Sequence, residues 1–171
     1  MGTYQKQNIL GVIKAVNVLN NLGITVSDES LKKGVRKVVQ NTGLMGRWQK
    51  ISKNPLVICD TGHNEAGIKE VLYNIYLQKF ANLHIVIGFV KDKDIDKILK
   101  LLPEKATYYF CKPDIPRGLD ASFLQQKALE FGLIGEVYNS VSEAYNKALK
   151  AAQKSDFVYV GGSTFVVAEI L

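Results

Sequence analysis

The sequence predicts a Rossmann-like, doubly wound α/β fold, a mostly parallel sheet with helices on both faces, preceded by a helical hairpin. Three observations carry that expectation. Apolar runs of strand length recur at 56–59, 83–88, 107–110, 135–138 and 157–160. Helix-period patterns fall between them at 66–79, 95–102, 122–131 and 141–153, with a short one after Ser163. Before residue 46 only helix-period patterns occur. Strands separated by helices of this length pair in parallel, and runs apolar throughout suit strands covered on both sides.

The first helix is predicted over 4–22, where Ile9, Val12, Ile13, Val16 and Leu19 share one face and Leu10, Val18 and Leu22 flank it. So wide a stripe is expected to be largely buried. Gly23 suits the left-handed residue that ends a helix, and Ser27 suits the N-cap of a second helix with Leu31, Val35 and Val38 inward. The two glycines of Asn41-Thr-Gly-Leu-Met-Gly46 then break the pattern, so a boundary is placed between 1–45 and 46–171. A hairpin with so broad an apolar face needs the following domain, or a larger one, to cover it. The chain is therefore expected to start inside a longer protein.

Composition narrows the classes. Of the 171 residues, 47% are hydrophobic and 22% charged, as in ordinary globular domains rather than disordered chains. The net charge of +6 invites a nucleic-acid partner, but lysines alternate with acids, as in Lys91-Asp-Lys-Asp94, instead of forming a basic stripe. No nucleic acid is expected. No apolar stretch approaches the length of a membrane span, so no membrane partner is expected either. Cys59 and Cys111 lie in or beside apolar strands without paired spacing, which predicts buried free thiols and a cytoplasmic, reducing environment.

In a parallel sheet the strand-to-helix turns open on one edge, where ligands bind. That edge should gather Asp60, His63 and Asn64; Lys91, Asp92 and Lys93; Pro116 and Arg117; and Gly161, Gly162, Ser163 and Thr164. Arg47 and Trp48 stand just upstream of the first predicted strand. Ionised Asp60 accepts hydrogen bonds only, which suits ribose hydroxyls or, equally, the N-cap of the next helix. His63 sits where it would face an anion, although a lone histidine is often structural. Arg47 offers a planar fork for phosphate oxygens, or a solvated cation. Lys93 could meet a carboxylate or simply charge a helix start, and Gly161-Gly-Ser163 could hold an anion or form a tight turn. His84 opens an apolar strand without polar neighbours and is read as inert. No three acidic, His or Cys residues are picked out as metal ligands, and no phosphate loop of the form G-x-x-x-x-G-K-[ST] is present.

Gly46-Arg47, Asp60-Thr-Gly-His63-Asn64-Glu-Ala-Gly67, Gly88 with Asp92-Lys93-Asp94, Pro116-Arg117 and Gly162-Ser163-Thr-Phe165-Val-Val-Ala-Glu169 together resemble the carboxy-terminal domain of folylpolyglutamate and dihydrofolate synthases, of the Mur ligase superfamily. Tyr4-Gln5-x-x-Asn8 and the hairpin resemble the end of that family's central ATPase domain. The sequence departs from the family pattern at Thr61-Gly62 and Glu65. The resemblance implies ATP-dependent activation of a folate carboxylate as an acyl phosphate, followed by attack of the L-glutamate amine. It implies Arg47 on ATP phosphates, Asp60 on the ribose with Asn64 beside it, His63 near phosphate and glutamate, and Ser163 and Lys93 near glutamate. Arg47 and His63 are the expected catalytic residues. ATP and Mg2+ are implied as cofactors bound mainly by an amino-terminal part, the partner of this chain, and the chain alone is expected to be inactive. Asp60→Ala is expected to weaken nucleotide use with little loss of stability. A Mur-type peptidoglycan ligase domain and a non-catalytic nucleotide or amino-acid binding module stand as the alternatives.

Overall fold

The computed structural model describes residues 2–171, which divide into two compact units at Met45 and Gly46. The first unit is helical: α1 (Gln5–Asn21), α2 (Asp28–Arg36) and α3 (Val38–Thr42). Gly23 takes φ +86° just after α1, and the Ser27 side chain accepts the Ser30 amide to cap α2. None of the three helices has a fully buried residue, and Leu10, Val12, Ile13, Val18, Leu19 and Leu22 stay exposed. The expected burial of α1 is therefore not met within this chain, because a nine-residue and a five-residue helix offer too little surface to cover a 17-residue one.

The second unit holds a six-stranded sheet and five helices in the order β1 (Gln49–Lys53), β2 (Leu56–Cys59), α4 (Glu65–Tyr76), β3 (Leu83–Ile87), α5 (Ile95–Leu99), β4 (Thr107–Cys111), α6 (Ala121–Leu129), β5 (Gly135–Tyr138), α7 (Val141–Ala151), β6 (Phe157–Gly161) and α8 (Thr164–Ala168). Spatially the strands run β1-β2-β6-β3-β4-β5. All neighbours are parallel except β1, which turns back antiparallel on β2. β1 is the strand that hydrophobic patterning does not announce, since Gln-Lys-Ile-Ser-Lys is polar and its extended form depends on pairing with β2. The first strand therefore follows Trp48 at once rather than beginning at Leu56.

The pleat sorts side chains into two cores. Ile58, Ile85, Ile87, Tyr108, Phe110, Phe157 and Tyr159 face one layer, closed by α4, α5 and α6 through Ile68, Val71, Ile75, Ile98, Leu99 and Leu124. Val57, Cys59, Val86, Tyr109, Cys111, Val158 and Val160 face the other, closed by α7 and α8 through Val141, Ala144, Ala148, Val166 and Val167. Both cysteines are free and buried; burial, helped by the neighbouring Asp60 charge, pushes the Cys59 thiol up to about 12, and burial raises that of Cys111 as well. Among the described residues no helix is long and apolar enough to cross a membrane.

His84 does have polar company. Its Nδ1 lies 3.0 Å from the Tyr109 hydroxyl and its Nε2 3.5 Å from Asp156 Oδ2, a partner 72 positions away that no local pattern reveals. Asp156 accepts the Gln153 amide at 2.7 Å and the Asn82 amide and side chain at 3.0 Å each, tying the start of β3 to the start of β6. These donors, the Gln153 amide foremost, hold its carboxyl below the usual range. A folded-state value below the unfolded one means stability that is present above the unfolded value, about pH 4, and lost as pH falls through the folded one. Asp156→Ala should therefore cost about 2–4 kcal/mol at neutral pH. In urea titrations its deficit relative to the parent chain should shrink below about pH 4, where the parent loses the same carboxylate.

Candidate functional site

The site is built where β2 leaves the sheet. Asp60 continues the strand, its amide bonding the Val160 carbonyl at 3.1 Å, and is 2% exposed. Its Oδ1 accepts the Gly62 amide at 2.8 Å and its Oδ2 the Trp48 amide at 2.6 Å. The carboxylate thus fastens its own turn and, across β1, the loop before it. The helix cap that Asp60 could have supplied comes instead from Asn64, whose Oδ1 accepts the Gly67 amide at 2.8 Å at the start of α4.

The fastened loop is conformationally unusual. Gly46 has φ +73° and Trp48, a non-glycine residue, φ +47°. A left-handed backbone at a bulky residue costs roughly 1–2 kcal/mol and persists only where the surroundings fix it. Here the Asp60 bond to the Trp48 amide, the Thr61 amide to the Gly46 carbonyl at 2.9 Å, and the Gly46 amide to Gln49 Oε1 at 2.7 Å do so. The Trp48 ring stacks on Phe157 with centroids 6.3 Å apart. Between these two anchored residues Arg47 is exposed and, among the described residues, enters no hydrogen bond or ion pair.

A cleft of about 280 Å3 opens at the same edge of the sheet, walled by His63, Val90, Asp92, Lys93, Arg117 and the run from Gly162 to Phe165. Three of the expected residues, His63, Lys93 and Ser163, therefore share one cleft. Arg47, Asp60 and Asn64 do not line it; they occupy the turn and loop beside it. His63 Nδ1 lies 3.1 Å from the Thr61 carbonyl, which can only accept, so Nδ1 carries the hydrogen and Nε2 is left for a ligand. Ser163 is 4% exposed and its Oγ accepts the Phe165 amide at 3.2 Å, capping α8 while its O–H can still donate. Gly162 makes that placement possible: at φ +87° a Cβ would stand 2.8 Å from the Gly88 carbonyl oxygen.

The sequence marks Arg117 as a rim residue but assigns it no role, and Phe165 none at all. Their meeting depends on a tertiary pairing, the antiparallel bridge between Val90 and Gly118, which carries Arg117 over the Phe165 ring at 5.1 Å. A larger cleft, about 1040 Å3, lies at the opposite edge among Phe80, Thr107, Tyr109, Ile134 and Lys147. Size favours it, but open α/β sheets bind ligands at the carboxyl ends of their strands, and none of the expected residues lines it.

The comparison with protein families decides the class: residues 46–164 match the Mur ligase glutamate ligase domain. The chain belongs to that family. Among related proteins, the chain is 31% identical over 170 residues to the probable bifunctional folylpolyglutamate synthase/dihydropteroate synthase of Haloferax volcanii, covering 99% of the chain and 20% of that protein. It is 31% identical over 159 residues to the dihydrofolate synthase/folylpolyglutamate synthase of Escherichia coli K12, covering 92% of the chain and 36% of the relative. A solved bifunctional folylpolyglutamate synthase/dihydrofolate synthase with Mn, AMPPNP and L-glutamate bound superposes with a TM-score of 0.75 at 29% identity, over 91% of this chain and 37% of that one. The chain thus spans about a third or less of the curated relatives' length.

Proposed function

We propose that residues 46–171 are the glutamate-accepting part of an ATP-dependent ligase that adds L-glutamate to a folate, a folylpolyglutamate synthase, with dihydrofolate synthesis as a second activity. The observation that carries this reading is the shared cleft, in which His63, Lys93, Arg117 and Ser163 set cationic and hydroxyl groups around a space of amino-acid size, about 280 Å3. The names of the related proteins, and the L-glutamate bound in a structural neighbour, support the choice of substrate.

ATP would supply the phosphoryl group that turns a folate carboxylate into an acyl phosphate. The L-glutamate amine then attacks the acyl carbon, an amide C–N bond forms, the C–O bond to phosphate breaks, and the amine gives up a proton. Arg47, exposed and unengaged, would offset phosphate charge. Asp60 and Asn64 shape the nucleotide side, and any ribose contact by Asp60 shares a carboxylate already engaged with two amides. His63 Nε2 accepts from the glutamate ammonium while the ring is neutral and donates to phosphate once protonated. Ser163 and Lys93 orient glutamate.

Among the described residues no group of three or more His, Cys, Asp or Glu side chains could hold a metal ion, and Mg2+ is read as bound mainly by the amino-terminal part. Residues 1–45 are read as the tail of a central ATPase domain, whose surface would cover the exposed Leu10, Val12, Ile13, Val18 and Leu19.

The test is a chimera in which residues 46–171 replace the matching segment of the Escherichia coli relative. It should add glutamate to a folate with ATP, while the 171-residue chain alone should turn over neither substrate. Turnover by the chain alone would overturn the division of labour. A folded chimera that uses a nucleotide-linked muropeptide but no folate would overturn the substrate.

A further inference from the structure

The larger cleft, about 1040 Å3, opens at the amino ends of β3, β4 and β5, and none of the residues assigned to ligation lines it. Its floor is aromatic and fixed. Buried Tyr109 and Tyr138 stack with ring centroids 5.8 Å apart, and each hydroxyl is anchored. That of Tyr109 lies 3.0 Å from His84 Nδ1, with Asp156 on the far side of the imidazole, and that of Tyr138 donates to Glu136 Oε2 at 2.7 Å. Burial raises both hydroxyls above the usual phenol range, Tyr138 to about 12, so both keep their hydrogens at neutral pH. The walls are apolar: half-buried Phe80, packed 5.7 Å from the Phe157 ring, and Ile134, which is 71% exposed. The rim is cationic. Lys105, Lys147 and Lys150 line the cleft and, among the described residues, enter no ion pair, whereas Lys69, Lys97 and Lys127 do. Of the two acids present, Glu136 already accepts the Tyr138 hydroxyl, and Glu104 lies over Gly132, its carboxyl carbon 3.5 Å from where a Cβ would stand. Lys147 and Lys150 are three apart on α7, so their stems leave one face of that helix.

We propose that this cleft is a second ligand site, separate from the one used in ligation, for a small organic anion with a flat apolar body, of the aryl carboxylate class. The aromatic body fills the space between Phe80 and Ile134, over rings whose positions are set in advance, so apolar surface is buried with little ordering of the protein. The carboxylate meets ammonium groups that have no partner to give up. An inorganic anion would leave the apolar walls wet, and a neutral ring would leave the lysines unanswered. The site therefore needs both parts in one molecule. Its size agrees, since sites for small organic ligands run to roughly 300–1,000 Å3. His84, which looks inert in the sequence, acquires a task here: it holds the Tyr109 hydroxyl from behind the floor.

The probe is 2-naphthoate, followed through backbone amide NMR of the 171-residue chain. It should shift the amides of Tyr109, Ile134 and Glu136, leave those of Ser163 and Phe165 in place, and reach half-saturation at about 1 mM. The neutral counterpart, 2-naphthamide, should bind about fivefold more weakly, and so should 2-naphthoate to the double variant Lys147→Gln/Lys150→Gln, because each exposed ammonium contributes a small factor. Ile134→Asp, which sets a like charge where an apolar wall stood, should lower affinity about tenfold. All three replaced side chains are exposed, so the fold survives, and an unshifted Phe157 amide in each variant reports it. Amides of Tyr109, Ile134 and Glu136 that stay unmoved up to the solubility of the probe overturn the site. Equal binding of 2-naphthamide, or undiminished binding in the lysine variant, overturns the choice of an anion. Undiminished binding in Ile134→Asp places the probe elsewhere and overturns the assignment of this cleft. Each of these failures leaves the ligase reading standing, since that reading uses the other edge of the sheet.

Discussion

Asp60→Ala should destabilise the sheet domain by about 3–5 kcal/mol, in contrast to the small stability effect that its position at a ligand-binding edge predicts. The carboxylate is 2% exposed and accepts two backbone amides, those of Trp48 and Gly62. Removing it leaves two donors without their acceptor in a place water hardly reaches, at roughly 1–3 kcal/mol each. It also releases the left-handed backbone of Trp48, whose ring would then lose its stack on Phe157. Asp60→Asn, which keeps one acceptor in nearly the same volume, should recover part of the loss. Urea midpoints at constant m-value would show this. An Asp60→Ala chain as stable as its parent would mean that the Arg47 loop is held by its other bonds alone.

Gly162→Ala should cost about 3 kcal/mol and disorder the cleft, since both strain and collision act at one atom. The residue sits at φ +87°, and a Cβ there would lie 2.8 Å from both the Gly88 carbonyl oxygen and Ile87 Cγ1, with the Phe89 ring at 3.1 Å. A backbone carbonyl at the end of a buried strand cannot step aside as a flexible side chain would. The β6 turn must therefore move, and Ser163 with it. Thermal denaturation would register the loss of stability, and amide shifts spreading from Ser163 to Phe165 the movement of the wall. A variant with the parent's melting temperature and unchanged cleft amides would show that the turn relaxes freely.

How much was legible in the sequence follows from how local each signal is. The strands at the centre of the sheet and the helices between them announce themselves by period, because burial on both faces, as in β3 and β6, writes a nearly unbroken apolar run into the chain itself. Ser27 as a cap and Gly23 as a terminator are likewise local. What stayed hidden depends on partners far away in sequence. β1 is polar and extended only because β2 is beside it. His84 looked isolated because Asp156 lies 72 positions on. Asp60 reads as a free acceptor until the Trp48 amide, 12 residues earlier, is found bonded to it. The rim was foreseeable from the topology of a parallel sheet, yet which rim residues meet in one cleft was decided by the Val90 and Gly118 bridge, which no hydrophobic pattern encodes.

The bonds from the Asp60 turn to Gly46 and Trp48 bind Arg47 to the sheet. Arg47 is a passenger of the strand framework: any motion that carries residues 46–171 as a body carries this guanidinium too, at a constant spacing from the His63 turn. The place of its charge is therefore set by displacement of the whole sheet domain instead of by the slower reordering of a loop.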